Sequence, residues 1–211
     1  MDKSKENLRI LIEKLQAVVQ SGKYYTKDVY DKDRYNQLEN VSKKLIKKLT
    51  GTSSKKLNLF FDKDTGYITP KVDIRALTFK NDKLLLVKEK TTQTWSIPGG
   101  WADIGYSAGE IAKKETKEEA GIMVKPKSLI AIYDMEKHPY HEKNFNYIYK
   151  IFIECIPLKK ILYKKTETSQ ANFFSLKKAL QLNLSLNRNL PQDIKMAFNS
   201  HNSSKWKTLF D

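Results

Sequence analysis

Glu115, Glu118 and Glu119 sit within five residues of one another, just after the glycine-bearing stretch Gly99 to Gly109. On a helical wheel at about 100° per residue, Glu119 lies about 40° to one side of Glu115 and Glu118 about 60° to the other. Lys113 and Lys117 fall on the opposite side. Three carboxylates on one arc repel one another and gain nothing from the i,i+4 Glu-to-Lys pairing that supports a solvated helix. A cation is therefore expected on that face. Oxygen-only ligands favour a hard divalent ion, Mg²⁺ with Mn²⁺ as the alternative. Such an ion takes one or two protein carboxylates and keeps its other positions for water and substrate phosphate. Glu115 and Glu119, one turn apart, are expected as direct ligands, with Glu118 as a third ligand or a contact through water. The chemistry implied is metal-assisted attack of water on phosphorus.

Those carboxylates need a helix and something to hold it. Ser107 is a good N-cap, with Glu110 three residues on completing a capping box. Trp95-Ser-Ile-Pro98-Gly99-Gly100 leads in, and its paired glycines let the backbone approach a phosphate or metal closely. Upstream, Val72–Phe79 and Lys83–Glu89 read as a strand pair joined at Asn81-Asp82. Leu129–Tyr133 and Tyr147–Ile156 read as strands, and Leu176–Leu180 and Pro191–Asn199 as helical segments. Near the start, Leu8, Leu11, Ile12, Leu15, Val18 and Val19, then Tyr35, Leu38, Val41, Leu45, Ile46 and Leu49, repeat at helical spacing. Two such helices cannot bury both stripes alone, so they are expected to pack on each other and on either the catalytic domain or a second protomer. Gly51-Thr-Ser-Ser-Lys-Lys marks the break. This predicts a helical domain over 1–65 and a catalytic α/β domain over 66–211.

Other side chains have two readings each. Arg75 could grip a substrate phosphate with its planar fork, or pair with Asp73. Trp101 could stack on a base or face a quaternary ammonium, or belong to a core or dimer interface. His138 and His141 have a His-x-x-His look, but no further ligands at zinc spacing accompany them. His138 is placed on a substrate-facing loop, with a plain surface loop as the alternative. Cys155, the chain's single cysteine, lies in strand-like alternation and reads as a buried, inert thiol.

Gly100, Glu115, Glu118, Glu119, Gly121 and Ile122 together resemble the Nudix box, the signature of Nudix hydrolases. Two positions depart from it. Tyr106 stands where the family has a glutamate and Lys114 where it has an arginine, and both losses touch one internal salt bridge that holds the loop against the helix. The resemblance extends further. Ser21-Gly-Lys-Tyr-Tyr-Thr-Lys-Asp28, Asp31-Lys-Asp-Arg-Tyr-Asn-Gln-Leu38, Gly100-Trp-Ala-Asp103, Tyr133 to His138, Tyr149 to Phe152, and Glu167-Thr168 with Phe173-Phe174 are similar to a bacterial subgroup with an N-terminal helical domain, which includes CDP-choline pyrophosphatases. The resemblance implies a Nudix α/β/α sandwich with a mixed sheet behind a small helical domain, a dimer, and hydrolysis of a nucleoside diphosphate-linked molecule, CDP-choline first. ADP-ribose and nucleotide sugars are the alternatives. Gly99, Gly100, Trp101, Asp103, Arg75 and His138 are the candidate substrate contacts. Glu119 is one choice of general base, acting through a metal-bound water. Glu167 is the other, at a place where some relatives supply a separate base. A Nudix fold that only binds its ligand is a further reading raised by Tyr106 and Lys114.

Composition narrows the classes. No phosphate loop, nucleophile elbow or dinucleotide fingerprint is present. No apolar stretch approaches the roughly 20 residues that span a bilayer, so a cytoplasmic protein with no membrane partner is expected. The net charge of +15 comes with lysine runs at Lys43–Lys48, Lys159-Lys160, Lys164-Lys165 and Lys177-Lys178. Nucleic acid could be drawn to them by counterion release, yet they are dispersed and lack interleaved aromatics, which favours solvated surface.

Overall fold

The computed structural model describes residues 3–50, 66–141, 147–161 and 167–211. The chain divides into two compact units, Met1–Thr69 and Pro70–Asp211. The break expected at 51–56 and the boundary expected near 65 lie outside the described residues.

In the first unit, α1 (Lys3–Tyr25) and α2 (Val29–Thr50) form a hairpin. Asp28 caps α2, its side chain accepting from the Asp31 N–H at 2.8 Å. Ile12, Val19 and Ile46 are buried. At Gly22 a Cβ would collide with the Tyr35 ring, so this glycine sets how closely the helices approach. Glu39 accepts from Lys23 at 2.6 Å and pairs with Lys43 at 2.5 Å. Leu11 and Val18 on α1, and Leu38, Val41 and Leu45 on α2, stay exposed. The hairpin thus buries one part of its apolar stripe and leaves another open, as the breadth of the pattern requires.

The second unit runs β1 (Lys71–Lys80), β2 (Lys83–Glu89), β3 (Trp95–Ser96), β4 (Gly99–Trp101), α3 (Ala108–Ala120), β5 (Ile122–Asp134), a 3₁₀ turn (Met135–Lys137), β6 (Ile148–Lys160), β7 (Thr168–Phe174), α4 (Leu176–Ala179), α5 (Pro191–His201) and β8 (Leu209–Phe210). Among the described residues the sheet order is β3-β2-β1-β6-β5-β8, with β4 on β1 and β7 on β2. β1 is the hub. It pairs parallel with β6 along one edge, and antiparallel with β4 and then β2 along the other. Asn81 and Asp82 both take positive φ, 50° and 52°, the twist a two-residue hairpin turn demands.

Helices cover both faces. Ile111, Ala112 and Ala120 of α3 pack on Ile74, Ala76, Leu85 and Val87. Ile194, Ala197 and Phe198 of α5 pack on Leu77, Phe79, Leu84 and Phe152 from the other side. This is the expected α/β/α layering around a mixed sheet. Strands β5 and β6 run longer than their apolar alternation indicates, because they pair with each other from Ile122↔Lys160 to Asp134↔Tyr149. β7 has a polar sequence with little alternation and becomes a strand through its pairing with β2. Cys155 is buried in β6, and burial pushes its thiol up to about 12, consistent with inertness. No described helix is long and apolar enough to cross a membrane.

Candidate active site

Helix α3 is fixed at both ends. Ser107 and Glu110 form the expected capping box, and Gly121 closes the helix in the left-handed conformation at φ 68°. Its apolar side faces the sheet, which carries Glu115 and Glu119 to β4. The Gly99 N–H donates to Glu119 Oε2 at 3.0 Å. A Cβ on Gly99 would collide with the Ile74 carbonyl oxygen, and one on Gly100 would lie 3.1 Å from the Glu115 carboxyl. Gly99 is therefore needed for β4 to lie against β1, and Gly100 leaves room for the Glu115 carboxyl.

A cavity of about 630 Å³ opens over this junction. Glu115, Glu119, Gly99, Gly100, Trp101, Asp103, Arg75 and Glu167 all line it. Burial pushes the Glu119 carboxyl up to about 7 against the pull of Arg75 and the Gly99 N–H. Glu115 is raised by burial too, opposed by Lys114 and reinforced by repulsion from Glu118. Trp101 is half-exposed and Glu167 exposed.

Two expected residues stand elsewhere. Glu118 repels Glu115 electrostatically but does not line the cavity. His138 stacks on Tyr133 at 4.3 Å and reaches the Asp211 carboxylate at 3.1 Å, away from the cavity lining. His141 is exposed. Arg75 is buried rather than on the surface, and its fork is already filled. Nε and Nη2 donate to the two Asp73 oxygens at 2.9 and 2.7 Å, and Nη1 to the Ile97 carbonyl at 3.2 Å.

The replaced brace has a visible substitute. Lys114 donates to Asp103 at 2.8 Å and approaches Glu115 at 3.5 Å, tying loop to helix. The hydrogen bond to Asp103 raises the lysine above its ordinary range. Asp103, expected at the substrate, thus also belongs to the loop's own support.

Four further charged residues line the cavity without belonging to the expected set of site residues: Asp73, Glu89, Lys150 and Arg188. Lys150 is fully buried and donates to Asp73 at 2.5 Å and to the Arg188 carbonyl at 2.9 Å. Arg188 lies 3.0 Å from Glu89 and 3.7 Å from Glu119. Asp73 and Lys150 are direct partners in the parallel register of β1 and β6, a pairing that exists only once the two strands are brought side by side. Arg188 left no signal in the sequence.

Among the described residues no three acidic, His or Cys side chains already converge as metal ligands. The donor set nevertheless fits a hard divalent cation. Two carboxyls on one helix face a polar cavity, both are raised by burial, and backbone amide support reaches only one oxygen of Glu119.

Comparison with known proteins accords with this geometry. Residues 6–61 match the family described as the UDP-X-like, N-terminal oligomerisation domain, and residues 69–193 match the NUDIX domain. YjhB of Bacillus subtilis (strain 168), provisionally named as an ADP-ribose pyrophosphatase, is 35% identical over 94% of each chain. A solved structure described as an ADP-ribose pyrophosphatase from Streptococcus suis 89-1591 is 36% identical, covers 68% of this chain and all of its own, and superposes with a TM-score of 0.61. The structure of a UDP-X diphosphatase, 23% identical, covers 97% of this chain and 98% of its own at a TM-score of 0.61, a likeness of fold.

Proposed function

The chain belongs to the Nudix hydrolases, and from that premise we propose that it is a Mg²⁺-dependent pyrophosphohydrolase that splits the diphosphate of a nucleoside diphosphate-linked molecule. The observation that carries this is the pair Glu115 and Glu119, held over Gly99 and Gly100 in a polar cavity of about 630 Å³. Nudix hydrolases generally need a divalent metal. Glu115 and Glu119 would hold it here, with Mn²⁺ as the alternative ion. When bound it supplies charge neutralisation at the diphosphate and acidifies a water.

The protein's own residues do the rest. The Gly99 N–H fixes one Glu119 oxygen and so aims the other toward the cavity. Lys114 and Asp103 hold the loop that follows Trp101. Glu167 lines the cavity and repels Glu115 electrostatically, which supports it as the acceptor of a proton from an attacking water. Glu119 is the second choice for that base. Arg75 contributes fixed positive charge to the cavity wall while remaining tied to Asp73.

For the substrate, the half-exposed Trp101 at the cavity supports CDP-choline, because an indole face attracts a quaternary ammonium. The names of the Bacillus subtilis and Streptococcus suis relatives, 35% and 36% identical, support ADP-ribose as the second reading. The test is product formation from both with Mg²⁺, for the wild type and Glu119→Gln. CMP and phosphocholine lost in the variant support the first reading. AMP and ribose 5-phosphate from ADP-ribose alone support the second. No metal-dependent turnover of either overturns both. The exposed stripe of Leu11, Val18, Val41 and Leu45 supports dimerisation through the helical hairpin. Light scattering should give twice the chain mass, falling to one chain with Leu11→Lys and Val18→Lys together.

A further inference from the structure

Arg188 spans two carboxylates on the cavity wall, and its two contacts differ in kind. Nε lies 3.0 Å from Glu89 Oε1, a close ion pair without hydrogen-bond alignment, whereas Nη1 lies 3.7 Å from Glu119 Oε1, beyond hydrogen-bond range. Glu89 is moored, being buried and accepting from the Thr92 hydroxyl through its other oxygen at 3.0 Å. The backbone beneath Arg188 is moored as well. Its carbonyl accepts from the buried Lys150 at 2.9 Å, and its N–H donates to the Ser185 carbonyl at 2.9 Å. The neighbouring Asn189 side chain accepts from the Ile97 N–H at 3.0 Å. What remains loose is the Nη end of a side chain that is 35% exposed in the cavity.

We propose that Arg188 is an exchangeable counter-cation: it neutralises Glu119 Oε1 until a divalent ion takes that oxygen, and then presents its Nη donors to the diphosphate of the substrate. The physical reasoning is competition of like charges for one oxygen. A divalent ion on Glu119 Oε1 would repel the guanidinium, whose Nη1 lies 3.7 Å from that oxygen. The Nε tether to Glu89 keeps the group in the cavity, and a planar pair of Nη donors suits phosphate oxygens. The inference rests on the reading of Glu119 as a metal ligand given above, and it has consequences of opposite sign. Loss of the guanidinium strengthens metal binding and weakens substrate binding. A structural brace would lower both, and a simple phosphate contact would leave metal affinity untouched.

The test is Mn²⁺ binding to the full chain, read from the electron paramagnetic resonance of the free ion, for the wild type, Arg188→Gln, Arg188→Lys and Glu119→Gln. KM is measured at saturating Mg²⁺ on whichever of CDP-choline and ADP-ribose the wild type cleaves. Circular dichroism verifies that each variant folds. The expected result for Arg188→Gln is Mn²⁺ binding about three- to tenfold tighter, as for a partly exposed charge contact, with KM about tenfold or more higher. Arg188→Lys should keep near-wild-type metal affinity and share the rise in KM, since it keeps the charge but loses the fork. Mn²⁺ affinity that is unchanged or weaker in folded Arg188→Gln overturns the inference while leaving the metal site standing. Wild-type Mn²⁺ affinity no better than that of Glu119→Gln overturns the metal site itself, and the inference with it.

Discussion

Two charged clusters share the cavity wall, and they solve the problem of buried charge in opposite ways. Around Asp73, one carboxylate meets two cations at hydrogen-bond distance, Arg75 at 2.7 and 2.9 Å and Lys150 at 2.5 Å. Burial alone would raise Asp73, but Arg75 and Lys150 hold it below the ordinary carboxylate range. Around Glu119 no cation among the described residues sits at hydrogen-bond distance: Arg75 pulls on it while tied to Asp73, a backbone N–H lies at 3.0 Å and the Arg188 guanidinium at 3.7 Å. There burial wins, and the carboxyl rises to about 7. The first cluster is closed on itself and works as scaffold. The second keeps carboxylates under-paired, at a cost in stability that makes sense where a cation and a polyanionic substrate are to be bound.

Glu119→Gln should widen that contrast most. A fall in kcat/KM of at least about a hundredfold is expected with the wild-type fold retained, against about tenfold or less for Glu118→Gln, whose side chain lies off the cavity. Equal losses from the two would erase the distinction drawn between them. Asp73→Asn comes next, and its damage should be to folding: two buried cations lose their counter-charge, at about 3–5 kcal/mol in denaturant unfolding. A variant as stable as the wild type would show that the closed cluster is not scaffold.

The third effect depends on pH. Glu119 has an ordinary value of 4.5 and a folded value of about 7, so between those values the native state holds a proton that the unfolded state releases. Metal-free stability should therefore be fully present below about pH 4.5 and decline as pH rises to about 7, by up to about 3 kcal/mol. Glu119→Gln should flatten that decline when unfolding is followed across the range, and an unaltered slope would count against the shift. Smallest is Lys114→Met. Releasing the loop from Asp103 should cost about 0.5–1 kcal/mol and lower kcat/KM several-fold, the mark of a brace at a partly exposed pair. Restored activity in Lys114→Arg would sharpen that assignment.

Local chemistry was readable in the residues, and long-range chemistry was not. The capping box at Ser107 and Glu110, the turn at Asn81-Asp82, the carboxylate arc of α3 and the helical periodicity before residue 50 each depend on neighbours a few positions apart, and each stands in the structure as expected. Arg188 and Lys150 depend on β1, β6 and the segment before α5 coming together, and no spacing rule encodes that. β7 carries no strand signal of its own for the same reason: its polar residues owe their extended form to β2. His138 shows the reverse. Its loop resembles a substrate-facing one, yet the Asp211 carboxylate, distant in sequence, draws the ring to itself.

The most direct test of the under-paired cluster is the melting temperature with and without Mg²⁺, for the wild type, Asp73→Asn and Glu119→Gln, since an ion that binds the folded state raises its stability. Mg²⁺ should raise the midpoint of the wild type, raise that of Asp73→Asn from its lower starting point, and leave Glu119→Gln unmoved. A wild type indifferent to Mg²⁺, or an equal rise in Glu119→Gln, would contradict the assignment of this cluster to a divalent cation.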